Sequence, residues 1–188
     1  HNTHSQLVLE ALSNKKDVFV EKPLSIKKAE LISIKKVMKT SDCRLWVGFN
    51  RRFSPHTQRA KNFFVKRTTP LAINYRINVG NIDPLHWSND LEIGGGRIVG
   101  ECCHFIDFCS FLIDSEPINY KFSYLDSKNS NLRYHDSISL ILEYADGSIA
   151  NINYLTNGNK KFSKERIEIF GENSTVLIDD FKKSEYIS

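Results

Sequence analysis

The spacing of the apolar residues changes part of the way along the chain. In residues 1–67, apolar residues at helical spacing alternate with short apolar runs, which predicts the order helix, strand, helix, strand. The predicted strands are 17–20 and 44–49, and the helices begin near Gln6 and Ser25. This order is typical of a parallel α/β sheet, in which ligands bind at the carboxyl ends of the strands.

From residue 68 onwards most apolar residues alternate with polar ones, which is typical of half-buried strands. One helix, predicted at 101–114, interrupts them, and turns at 145–147 and 171–173 predict hairpins. We expect an antiparallel meander that forms one open sheet flanked by helices. The predicted strands are 71–79, 118–124, 136–144, 148–154, 166–170 and 175–178. The sequence therefore predicts two domains, 1–67 and 68–188, of class α/β plus α+β.

A glycine-rich stretch lies immediately before the predicted helix 101–114. Four of the seven residues in 94–100 are glycines, and a helix start offers unpaired N–H groups, so the stretch is a candidate cradle for a polar or anionic ligand. Glu101, His104 and Asp107 follow at intervals of three, which places an imidazole in the first helical turn between two carboxylates. The same pattern is typical of a glycine loop that caps a buried helix with a hydrogen-bonded core histidine.

Two further polar motifs follow the predicted strands of the first domain. Glu21-Lys22-Pro23 follows the first strand, and Asn50-Arg51-Arg52 follows the second. Pro23 disfavours a helical conformation at Lys22, and an X-Pro bond can be cis. Parallel strands end at one sheet edge, so we expect the motifs to share that edge, although lysines and arginines at such places are more often exposed surface charges.

Composition excludes several classes of protein. The chain has 40% hydrophobic and 26% charged residues, which is ordinary for a globular protein, and no apolar run has the length of a membrane span. The first six residues have no signal-peptide features, and the four cysteines lack metal-ligand spacing, so we expect free thiols, no metal and a cytoplasmic setting. The net charge of +4 is spread out, which argues against nucleic-acid binding.

Three motifs stand in order along the chain: Glu21-Lys22-Pro23, Gly48-Phe49-Asn50-Arg51-Arg52-Phe53, and Gly94-Gly95-Gly96 followed by His104 and Asp107. Together they resemble the Gfo/Idh/MocA family of sugar and cyclitol oxidoreductases. The resemblance implies a Rossmann domain followed by a domain whose open sheet carries substrate and oligomer contacts. Residues 1–67 would be the C-terminal part of the Rossmann domain without its first half, so we expect a fragment of a homo-oligomeric protein.

The resemblance implies an NAD- or NADP-dependent dehydrogenase acting on a hydroxyl of a sugar or nucleotide-linked sugar. It implies that His104 accepts the hydroxyl proton and that Lys22 contacts the same oxygen, since an imidazole is a suitable base near neutral pH. Cofactor contacts are expected from Asn2, His4, Glu21, Lys22 and Pro23. Substrate contacts are expected from Arg51, Trp87, Arg97, Glu101 and Asp107.

One position departs from the family pattern. The family has an aspartate four residues before the histidine, where this chain has Gly100 followed by Glu101. The sequence of residues 94–104 resembles the variant in bi-domain oxidoreductases of bacterial surface-polysaccharide clusters, and this resemblance implies a nucleotide-linked or phosphorylated sugar as substrate. Two alternatives stay open. The same scaffold includes glycosidases that use bound NAD, and a non-catalytic sugar-binding or regulatory relative would retain the fold alone.

Overall fold

The computed structural model describes residues 1–83, 85–125 and 136–188. These residues form two compact units, each built from two stretches of chain. The first unit consists of His1–Phe49 and Pro84–His104, and the second of Asn50–Asp83 and Phe105–Ser188. Among the described residues, no helix combines the length and the apolar character that crossing a bilayer requires.

The first unit contains the predicted parallel α/β arrangement. Its elements in chain order are α1 (His4–Ser13), β1 (Val18–Val20), α2 (Lys28–Met38) and β2 (Leu45–Val47). Strands β1 and β2 pair in parallel. A core of Val8, Leu12 and Ile34 packs against Val18 and Val20 of β1 and Leu45 of β2. The spacing of three to four residues between apolar positions on α1 thus produces one buried helix face.

The second unit is a seven-stranded sheet with helices. Helix α4 crosses the division, with its first residues counted in the first unit. The sheet order is β4-β5-β6-β3-β7-β8-β9. The elements are α3 (Pro55–Phe63), β3 (Ala72–Asn78), α4 (Gly96–Ile113), β4 (Pro117–Tyr124), β5 (Ile138–Tyr144), β6 (Ile149–Leu155), β7 (Glu165–Gly171), β8 (Ser174–Asp179) and β9 (Lys183–Ile187).

The prediction of an open, mainly antiparallel sheet is confirmed, but the simple meander is wrong. Strand β3 lies in the middle of the sheet, parallel to β6 and antiparallel to β7. Helix α4 follows β3 in the chain, so β3 and β4 are joined by a crossover and not by a hairpin. The short edge strand β9 was not predicted, because its sequence Lys-Ser-Glu-Tyr-Ile contains few apolar residues.

Helix α4 begins earlier than the sequence predicted. It starts at Gly96 and not near Glu101. Within the glycine run only Gly95 and Gly96 have positive φ angles, so the residues from 97 onwards can adopt helical angles. Gly100 is an ordinary helical residue. The predicted placement of His104 in the first helical turn is therefore wrong.

The core of the second unit lies between α4 and one face of the sheet. Tyr75 on β3 packs against Phe105 and Phe108 of α4, with ring centroids 5.2 and 5.1 Å apart. The opposite face is mixed. It carries an Asn74–Asn151 hydrogen bond of 3.2 Å. Exposed apolar side chains also lie on these strands, such as Ile141 on β5, which pairs with Asn151, and Ile149 on β6. A homo-oligomer through this face stays a prediction.

Candidate active site

Lys22 lies just beyond the end of β1, and its peptide bond to Pro23 is cis. The Lys22 ammonium donates one hydrogen bond to the backbone carbonyl oxygen of Gly100, at 3.0 Å, and a second to Glu101 Oε1, at 3.1 Å. The side chains of Lys22 and Glu101 are 14% and 35% exposed. The structure therefore brings the strand-end lysine of the first motif onto the early turns of α4.

His104 lies three residues after Glu101 on α4, about two turns from the start of the helix. Residues three apart share a helix face, so His104 lies on the face that receives Lys22. The imidazole is buried, and its ring stands edge-on to Phe49 with centroids 6.1 Å apart. Phe49 follows β2, so the second strand end also contributes to the surroundings of His104. Phe49 lies within the second motif, but nothing in the sequence indicated a role for its ring.

The glycine run is a tight turn into α4. The backbone N–H groups of Gly94 and Gly95 both donate to the carbonyl oxygen of Asp90, at 2.8 and 3.0 Å. A Cβ atom on Gly94 would lie 2.7 Å from the Ser88 Cα atom, so only glycine fits there. Because these two donors are used within the loop, the structure favours the second of the two interpretations of the run, a capping turn.

His1 and His4 each contact one of the other motifs. His1 Nδ1 lies 2.8 Å from the carbonyl oxygen of Gly94, and His4 Nδ1 lies 2.8 Å from that of Pro23. A carbonyl oxygen can only accept, so Nδ1 carries the proton in both rings and Nε2 of a neutral ring is left as an acceptor. His1 was missed in the sequence, where the only signal was its position three residues before His4.

The remaining predicted residues of the first unit lie at different depths. Arg97 is buried in the first turn of α4. Trp87 is half exposed, and its ring stands edge-on to that of His1 with centroids 4.9 Å apart. Glu21 is exposed, and a Cβ atom on Gly48 would lie 3.2 Å from its carboxylate. Asn2 is exposed in the turn before α1.

Arg51 and Asp107 belong to the second unit, where both form ion pairs. Arg51 donates to both oxygens of the buried Glu165 carboxylate, at 2.9 and 2.6 Å. Burial opposes the charge on Arg51, but the hydrogen bond and charge of Glu165 raise the pKa of Arg51 above its ordinary value. Asp107 accepts two hydrogen bonds from Arg52. The substrate contacts proposed for Arg51 and Asp107 stay predictions, and both groups have strong protein partners.

The thiols near the site are poor nucleophiles. Burial raises the pKa of Cys103 to about 11, although the nearby Lys22 charge opposes this shift. Burial also raises the pKa of Cys102 to about 12. Both groups are therefore neutral thiols near pH 7. Among the residues that the structure describes, no cluster of three or more His, Cys, Asp or Glu side chains is arranged to hold a metal ion.

Comparison with known proteins identifies both parts of the chain. Residues 1–49 match the oxidoreductase family model with the NAD-binding Rossmann fold, and residues 69–177 match the GFO/IDH/MocA C-terminal domain. The predictions of the family and of its NAD-binding Rossmann fold are confirmed.

Two curated relatives align over nearly the whole chain. Myo-inositol 2-dehydrogenase of Thermotoga maritima is 25% identical over 97% of this chain and 55% of its own length. Inositol 2-dehydrogenase of Rhizobium meliloti is 25% identical over 95% of this chain and 54% of its own length. The chain thus spans about half the length of the curated relatives it matches.

A solved structure shows the same fold at lower identity. The WlbA dehydrogenase of Bordetella pertussis, crystallised with NADH and UDP-GlcNAcA, superposes with a TM-score of 0.81 at 17% identity, covering 99% of this chain and 56% of that one. The family models cover 1–49 and 69–177, and the three motifs lie in the family order. The chain therefore belongs to the Gfo/Idh/MocA family of oxidoreductases.

Proposed function

We propose that the full-length protein is an NAD(P)-dependent dehydrogenase that oxidises a secondary hydroxyl of a sugar, a cyclic polyol or a nucleotide-linked sugar. The observation that carries this proposal is the contact of Lys22 with Gly100 and Glu101 on the helix face of His104. It supports a site with one cationic hydrogen-bond donor and one imidazole on the same face.

The residues after β1 fit a nicotinamide ring with its carboxamide, which requires both donors and acceptors. Lys22 supplies a donor, the exposed Glu21 carboxylate supplies an acceptor, and Nε2 of His4 supplies a second acceptor. Bound NAD(P) would supply the hydride acceptor for alcohol oxidation. We propose Asn2, His4, Glu21, Lys22 and Pro23 as its contacts within this chain.

Two residues would act on the substrate hydroxyl. His104 takes the hydroxyl proton as the carbinol is oxidised, because imidazole is a base that works near neutral pH. Lys22 has three N–H groups, of which Gly100 and Glu101 accept two, so one can donate to the reacting oxygen. That bond strengthens as negative charge develops on the oxygen, which lowers the barrier. Trp87 and Arg97 are the proposed further substrate contacts.

The names of the relatives indicate two candidate classes of substrate. Two curated relatives are named as inositol dehydrogenases, and the WlbA crystals contain a nucleotide-linked sugar. We propose a sugar or nucleotide-linked sugar, used in bacterial surface-polysaccharide biosynthesis, because the sequence of residues 94–104 resembles the variant found in bi-domain oxidoreductases of such clusters. An inositol is the competing substrate class.

Initial rates test both the activity and the substrate class. The full-length protein is incubated with NAD⁺ or NADP⁺ and with inositols, free sugars or nucleotide-linked sugars, and reduced cofactor is measured by absorbance. Net formation of reduced cofactor with one of these classes supports a dehydrogenase. Glycoside cleavage without net cofactor reduction supports the NAD-dependent glycosidase alternative, and ligand binding without turnover supports a non-catalytic relative.

A further inference from the structure

We propose that Glu101 is a positioning residue, which acts on the reaction by holding the Lys22 ammonium in place. This inference rests on the proposed function, because it concerns the same site. Glu101 Oε1 lies 3.1 Å from Lys22 Nζ, so the Glu101 carboxylate forms an ion pair with this lysine.

Position 100 has little room for the acidic side chain. A Cβ atom there would lie 3.2 Å from the carbonyl oxygen of Gly94 and 3.3 Å from the His1 ring. Both distances are shorter than ordinary van der Waals contact, so the turn or the imidazole would have to move. The carbonyl of Gly100 already accepts from Lys22, and the next residue supplies the negative charge. The backbone of one residue and the side chain of the next thus form a two-point support for the ammonium.

Two-point support restricts where the third N–H of Lys22 can aim. Lysine has a long side chain with many rotamers. Fixing this side chain in one rotamer costs entropy, and that cost would oppose substrate binding if it were met only then. The acceptors at 3.0 and 3.1 Å select one arrangement before the substrate arrives. The low exposure of Lys22, 14%, strengthens the charge interaction relative to one in open water.

Glu101 also balances the charge of the site. A partly buried ammonium without an anion would favour a negatively charged ligand beside Lys22. With Glu101 in place the pair is neutral, so the reacting group that it fits is an uncharged hydroxyl. The charge of any phosphate on the substrate must then be bound elsewhere. A neutral Lys22–Glu101 pair would therefore favour an uncharged carbinol at this position.

The test is a double-mutant cycle in the full-length protein, with the substrate and cofactor that give the highest rate. Glu101→Gln keeps the size and one acceptor oxygen but removes the charge. We expect kcat to fall about 10²-fold, the usual effect of misplacing a catalytic group, with KM changed less than threefold. Glu101→Asp should recover part of the lost kcat, because the charge returns on a side chain one methylene shorter.

The cycle distinguishes action through Lys22 from an independent effect. In a Lys22→Met background, Glu101→Gln should lower kcat by less than twofold further, since the residue that it positions is gone. An equal 10²-fold loss in both backgrounds would overturn the proposal. The proposal would also be overturned if the Glu101→Gln variant had the kcat and the melting temperature of the wild-type protein. The matched control is Glu92→Gln, because Glu92 forms an exposed ion pair with Lys27 at 3.2 Å in the same unit, and its kcat should be unchanged.

Failure of the positioning role is separable from failure of the proposed function. If the wild-type protein reduces no cofactor with any sugar or polyol, the dehydrogenase proposal is wrong and the cycle has no rate to measure. In that case calorimetric binding of NADH to the same variants replaces it. If Glu101→Gln weakens NADH binding in the wild-type background but has no further effect in the Lys22→Met background, the positioning role is supported. Unchanged NADH binding would overturn it.

Discussion

Replacing Arg51 by methionine would leave a carboxylate buried without its cation. Arg51 donates to both oxygens of Glu165, and the side chains are only 14% and 8% exposed. The Tyr75 hydroxyl donates to the same carboxylate. Removing one partner of such a pair costs about 3–5 kcal/mol, because the remaining charge stays out of water with nothing to neutralise it.

That loss converts into a large shift of the thermal midpoint. A domain of this size loses about 2–4 °C for each kcal/mol, so Arg51→Met should lower the melting temperature of the full-length protein by about 6–20 °C. Scanning calorimetry measures the shift. The double variant Arg51→Met/Glu165→Gln removes both charges and keeps an acceptor for Tyr75, so it should recover more than half of the loss.

The control is an arginine–carboxylate pair that lies on the surface. Arg44 also donates twice to one carboxylate, that of Asp17, but both side chains are exposed. Arg44→Met should leave the melting temperature essentially unchanged. An unchanged melting temperature in Arg51→Met, together with a tenfold higher KM, would refute the structural role of the Arg51–Glu165 pair. Arg51 would then be the substrate ligand that the sequence predicts.

Two further predictions concern pH and assembly. Burial raises the pKa of Cys103 to about 11 and that of Cys102 to about 12, from an unfolded value of 9.0. The two buried thiols contribute their full stabilisation below pH 9, and this contribution is lost as pH rises through their folded pKa values, because the thiols of the unfolded chain ionise first. A thermal midpoint that stays constant from pH 8 to about 11 would contradict the predicted loss of stability. The open face of the sheet should join two copies of the full-length protein, and light scattering that finds a monomer at micromolar concentration would exclude that interface.

Local patterns predicted most of the elements. The alternation of residues 71–79 and of 148–154 was sufficient to identify β3 and β6 as strands with one buried face. It contained no information on which strands are neighbours. The parallel pairing of β3 with β6 joins residues far apart in sequence, and a helix lies between them in the chain.

The start of α4 shows a different limit. Glycine has a low helix propensity, so a run with four glycines predicted a loop up to residue 100. The helix nevertheless includes Arg97, Ile98 and Val99, because tertiary packing of α4 outweighs the local preference of Gly100. His104 therefore lies about one turn further into the helix than glycine propensity predicts.

The site residues divide in the same way. The contact between Lys22 and Glu101 joins positions 79 apart in sequence, and only the order of the family motifs indicated that these regions meet. The partner of Arg51 lies 114 positions away, in β7, and nothing in the local sequence indicated it. Charges near strand ends are equally compatible with substrate contacts and with internal ion pairs until the three-dimensional partners are known.

The His104→Asn variant of the full-length protein tests most directly whether His104 is the base of an NAD(P)-dependent dehydrogenase. We expect kcat with the preferred sugar or polyol to fall by about 10²- to 10⁴-fold, while NADH affinity and melting temperature stay near the wild-type values. Normal turnover accompanied by a lower melting temperature would contradict a catalytic role, because His104 would then be only a buried histidine of the helix core.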